Sequence, residues 1–138
     1  MTESPRKLHE AIGLETIAAV VDAFYDRIQQ HPTLAEPFRR VTDWPEHKAR
    51  LTHFWWLSLG GTRYRDDRYQ VGPLHMSLGV TGALVDDWLA LFRETLDAYL
   101  DTKLADEWYR RAELMGRSIR IVSTFDPKDP RIALGPPG

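Results

Sequence analysis

Apolar residues recur at spacings of three and four along most of this chain, the pattern of helices that bury one face. Leu14, Ile17, Val20, Val21, Phe24, Tyr25 and Ile28 make one such stripe. They predict a helix over about 14–30, stopped at His31 and Pro32. Before it, Ser4 and Pro5 open a short helix over about 5–12 that ends at Gly13. Trp44, His47, Leu51, Trp55 and Ser58 share a face of a third helix, over about 44–59, which Phe54 widens and Gly60 and Gly61 close. Its start is marked: Asp43 can cap, Pro45 suits the first turn, and Glu46 completes a variant of the capping box. Val85, Trp88, Leu89, Phe92, Leu96 and Tyr99 predict a helix over about 82–101, which Thr81 can cap. Leu104, Trp108, Leu114, Met115, Ile119 and Val122 predict a last one over about 103–124, ended by Asp126 and Pro127.

Between these stripes the pattern breaks. Residues 33–41 are short, with Leu34 and Phe38 as apolar contacts. Residues 61–72 are polar, basic and aromatic without a period, and an irregular connection of that length in a small domain is often functional. A brief apolar segment with His75 follows and ends at Gly79. No alternating strand pattern and no internal repeat is visible. The expected fold is all-α, with one domain over residues 1–125 and a Pro- and Gly-rich tail over 126–138.

Composition narrows the chemistry. The net charge of −2, with both signs interspersed, gives no footprint for nucleic acid. The absence of cysteine removes disulfides, thiolate metal sites, iron–sulfur clusters and covalent haem attachment. No apolar run follows the N-terminal charges, and no stretch has the length of a membrane span. A cytoplasmic location is therefore expected. Five Trp, five Tyr and five Phe supply flat side chains for a pocket.

No H-E-x-x-H, no Glu-x-x-His pair of the di-iron type, no G-x-S-x-G elbow and no phosphate-binding loop occurs. His47 and His53, six residues apart, lie about 240° apart around a helix and share no face. What stands out is one imidazole, His47, on an otherwise apolar stripe, and a second, His75, after the irregular connection. A lone histidine on such a stripe is either a satisfied core residue or one that faces a cavity. Helices that offer one imidazole to iron, with polar donors opposite, are how a non-covalent haem is held.

The order of residues then becomes specific. Phe24 and Tyr25 fall late in the second helix, and Phe38 in the turn after it. Trp44, His47, Lys48, Ala49, Leu51, Phe54 and Trp55 follow, then His75 and Leu78, then Trp88, Leu89, Leu91 and Phe92. In this order and spacing, over about residues 14–122, the chain resembles the truncated (2-on-2) haemoglobins, most closely group III. The resemblance implies a globin-like helical sandwich around haem b, iron protoporphyrin IX. It makes His75 the iron ligand and Phe38 the ring that packs on the haem face. Tyr25, His47 and Trp88 become the polar residues on the opposite side, where ligands bind. Arg50 matches a position that pairs with a haem propionate. Leu51 and Phe54 become pocket wall, Phe24 and Trp55 wall or supporting core, and Tyr64 a further cofactor contact. The implied ligands are O₂, NO, CO or peroxide, with an unidentified reductase as partner. NO dioxygenase or peroxidase-like chemistry is then open, and simple oxygen transport is less attractive. A six-coordinate haem protein for electron transfer or sensing, with His47 or Tyr25 on the iron, is one alternative. A haem-free helical interaction module is another.

Overall fold

A computed structural model describes residues 7–67 and 82–123, with side chains to residue 117. Five α-helices follow in order: α1 Leu8–Ile12, α2 Leu14–Ile28, α3 Trp44–Ser58, α4 Gly82–Tyr99 and α5 Thr102–Ser123. A single 3₁₀ turn, Glu36–Phe38, lies between α2 and α3, and the described residues contain no strand. His75, Thr81 and the tail beyond residue 123 lie outside the described residues.

The helices sit where the stripes put them, to within a few residues at their ends. Gly13 separates α1 from α2 with a φ of +89°, a conformation that costs glycine little and other residues more. The α2 stripe is the first half of the core: Ile17, Val20, Val21, Phe24, Tyr25 and Ile28 are all buried. Asp43 caps α3 as expected, its side chain accepting the Glu46 N–H at 3.1 Å. Gly60 ends that region with a φ of +112°. At Gly61 a Cβ would lie 2.2 Å from the Trp56 ring, so only glycine lets the chain turn back there. The cap of α5 carries no sequence expectation; Asp101 supplies it by accepting the Leu104 N–H at 2.9 Å.

Helices α2 and α3 pack on one another, as do α4 and α5, and α2 crosses α4 to join the two pairs. The result is a two-on-two arrangement with α1 laid against α2 and α5. Phe24, Trp55, Phe92 and Trp108 are the large rings at its centre. Trp55 and Phe92 stack with centroids 5.4 Å apart, and Trp108 meets Phe92 edge-on at 5.6 Å. Burying such rings is the main favourable term in a core of this size. Polar stitches fix the layers. Lys48 on α3 reaches Asp22 and Asp26 on α2 at 2.8 and 2.6 Å, and Arg93 on α4 reaches Asp106 on α5 at 2.7 Å. The two Lys48 bridges hold the C-terminal half of α2 beside the N-terminal half of α3.

Candidate functional site

At that junction α2, the 3₁₀ turn and α3 bring four rings together. Tyr25 lies 5.6 Å from Phe38, 5.7 Å from His47 and 6.1 Å from Trp44, measured between centroids. His47 meets Trp44 edge-on at 5.4 Å and Phe38 at 6.2 Å. The group is local in origin: Trp44 and His47 are three residues apart on α3, so their side chains share a face. Leu51 and Phe54, further along α3, are half-buried and pack against the core. On the other side, Phe24 meets Trp88 of α4 edge-on at 5.1 Å, and Trp88 stacks on Phe92 at 5.0 Å.

The polar atoms of this group are in unusual states. Burial pushes the Tyr25 hydroxyl pKa well above its ordinary value, and a hydrogen bond from the Trp88 side chain opposes that more weakly. Tyr25 is therefore a neutral phenol, able to donate, at any physiological pH. His47 has its pKa pushed down, first by burial and then by the positive charge of Arg50, so its ring is neutral near pH 7. Its Nε2 is buried and has no hydrogen-bond partner. A buried polar atom left without a partner costs about 1–3 kcal/mol, so the arrangement calls for an explanation. His9 Nδ1 and Trp108 Nε1 share the condition. Trp108 lies in the central core against Trp55 and Phe92, and His9 lies edge-on to Trp56 and close under Gly60, so neither is grouped with Tyr25 and Trp88.

The sequence-predicted residues thus divide. Tyr25, Phe38 and His47 come together, and Trp88 joins them through Tyr25. Arg50 is more exposed and pairs with Asp67, its Nε 3.5 Å from the carboxylate. Tyr64 is 50% exposed and packs edge-on against His53 at 4.5 Å. That places Tyr64 by a histidine about 240° around α3 from His47. Trp44 belongs to the ring group, although it carries no site expectation; its three-residue spacing from His47 was the available signal. A groove of about 510 Å³ between α4 and α5, lined by Val85, Leu89, Tyr109 and Glu113 among others, includes none of these residues.

The group fits a haem. It offers flat apolar walls, a phenol and an indole as donors, and an imidazole nitrogen with nothing bonded to it, the donor set that a non-covalent haem and its ligand use. Among the described residues no group of three His, Asp or Glu side chains forms a protein-only metal site. No described helix is long and apolar enough to cross a membrane.

Known proteins resemble the chain over most of its length. The chain is 27% identical over 121 residues to the group 2 truncated hemoglobin YjbI of Bacillus subtilis, covering 85% of this chain and 90% of that protein. It is 25% identical over 114 residues to the group 3 truncated hemoglobin ctb of Campylobacter jejuni, covering 77% and 87%. The family model described as bacterial-like globin matches residues 7–120. With all-helical layers, a ring-lined histidine and a match that spans most of its length, the chain belongs to the bacterial-like globin family and is a truncated haemoglobin, group III included among its likenesses.

Proposed function

We propose that this chain holds haem b through His75 and uses Tyr25, His47 and Trp88 to retain a small ligand for redox chemistry with O₂, NO or peroxide. The observation that carries the reading is the buried, unpartnered His47 Nε2 among Tyr25, Phe38 and Trp44. Family membership makes the cofactor a haem, and a haem supplies a redox-active iron that binds diatomics and peroxide.

The chain's own residues then divide the work. Phe38, Leu51 and Phe54 exclude water and set the plane of the pocket. Trp88 donates to the Tyr25 oxygen, which orients the phenol and leaves its own hydrogen to donate to a ligand. Neutral His47 presents a nitrogen that can accept or hold a proton. Arg50 serves the cofactor's carboxylate edge. Donors aimed at a ligand that gains negative charge act as they do at any developing oxyanion. Each such bond contributes about 1.5–3 kcal/mol, and about 1.4 kcal/mol is a factor of ten in release. Slow release suits reaction better than delivery. Electrons come from a separate reductase in the cytoplasm.

Stopped-flow release of O₂ from the ferrous protein tests the reading. Slow release is expected, and very fast release would rule out the redox role. The unpartnered His47 Nε2 also favours a second reading, in which His47 is a sixth ligand to the iron. Six-coordinate visible bands in the resting protein, lost in His47→Ala, would select it.

A further inference from the structure

Arg50 stands three residues beyond His47 on α3, and the reading above puts a haem carboxylate beside it. In the structure a carboxylate of the chain itself is there. Asp67 Oδ1 lies 3.5 Å from Arg50 Nε, and Asp67 Oδ2 lies 2.5 Å from Arg65 Nε. Arg65 also pairs with Glu46 in the first turn of α3, and Arg63 donates to the Asp67 carbonyl oxygen at 2.5 Å. Three guanidinium groups therefore converge around one aspartate. The segment carrying them is pinned, because the Tyr64 N–H donates to His53 Nε2 at 3.1 Å. Arginine clusters of this kind recognise carboxylates.

We infer that Asp67 is an internal stand-in for a haem carboxylate: cofactor loading draws Arg50 from Asp67 onto a propionate, while Arg65 keeps Asp67. The inference rests on the haem reading. The two contacts of Asp67 are unequal, which decides the partner that leaves. The contact with Arg65 is short and tied to α3 through Glu46, whereas that with Arg50 is long and its side chain is 44% exposed. The exchange replaces one carboxylate by another at the same cation, so no proton or electron moves. Asp67 then competes with the cofactor and loosens its hold, and residues 61–67 respond to loading.

The experiment follows loss of haemin from the ferric protein to excess apomyoglobin, read at the Soret band, for Asp67→Asn, Arg50→Gln and the double variant. Asp67→Asn is expected to lose haemin roughly threefold more slowly than wild type, in the range of a partly exposed ion pair. That gain should vanish in the Arg50→Gln background and shrink with added salt. Arg65→Gln keeps Asp67 but leaves it to Arg50 alone, so it should lose haemin faster. It also keeps the test usable should Asp67→Asn fold poorly. Unchanged or faster loss in a folded Asp67→Asn, an equal effect with and without Arg50, or slower loss in Arg65→Gln would overturn the inference. Failure of wild type to form any Soret band would instead overturn the haem reading beneath it.

Discussion

Helix α3 carries two histidines in opposite conditions. His53 is fully buried and has a use: its Nε2 accepts the Tyr64 N–H and holds the returning segment. His47 is less buried, yet its Nε2 is shut away from both solvent and any partner. Burial alone would make His53 the more interesting of the two. Hydrogen-bond accounting reverses that, because the buried His53 nitrogen is satisfied by the chain itself, whereas the unsatisfied His47 nitrogen calls for an explanation. The difference comes from position on the helix. The His47 face meets Tyr25, Phe38 and Trp44, whereas the His53 face meets backbone of the same chain.

The largest expected effect tests whether either α3 histidine can hold the iron. His75→Ala should lose stoichiometric haem in a Soret titration; retention of haem with an unchanged spectrum would move the ligand to α3 and undo the contrast. Next comes the ring group. Tyr25→Phe removes one donor worth about 1.5–3 kcal/mol, so O₂ release measured by stopped flow should quicken roughly ten- to hundredfold. His53→Ala should act on folding instead. It leaves the Tyr64 N–H without its acceptor, and urea denaturation should show a loss of about 1–3 kcal/mol with the visible spectrum kept. The smallest effect is that of pH. The His53 pKa is pushed down by burial, then by Arg63 and Arg65, against a smaller upward pull from Asp67; that of His47 is also pushed down. Folding therefore favours the neutral rings, and their contribution is complete above the unfolded value of about 6.5. It is lost as pH falls through the folded values, because the unfolded chain then binds more protons. The urea midpoint should drop from pH 7.5 to 5.5, and His53→Gln, which keeps an acceptor without a titrating ring, should flatten part of that slope.

The helices were legible because their burial is periodic. The α2 stripe of Ile17, Val20, Val21, Phe24, Tyr25 and Ile28 is buried as a unit, and the Asp43 cap of α3 is a local pattern that the chain realises locally. The ends were less legible. The stripe to residue 30 stops at Ile28, where His31 Nδ1 takes the N–H groups of Thr33 and Leu34 into a turn. The ring group was legible through the order of Tyr25, Phe38, His47 and Trp88. What escaped depends on residues 61–67 folding back over α3. The burial of His53, the turn of Tyr64 toward it and the seat of Asp67 on Arg50 pair residues 11 to 17 positions apart. No periodicity encodes such pairs. His75, the residue on which the iron assignment rests, lies outside the described residues.

The most direct test of the central claim is a haemin titration of the purified wild-type protein, followed by reduction and addition of CO. The account predicts a Soret band that saturates at one haem per chain and shifts on binding CO. A protein that stays helical yet gives only the spectrum of free haemin would contradict it.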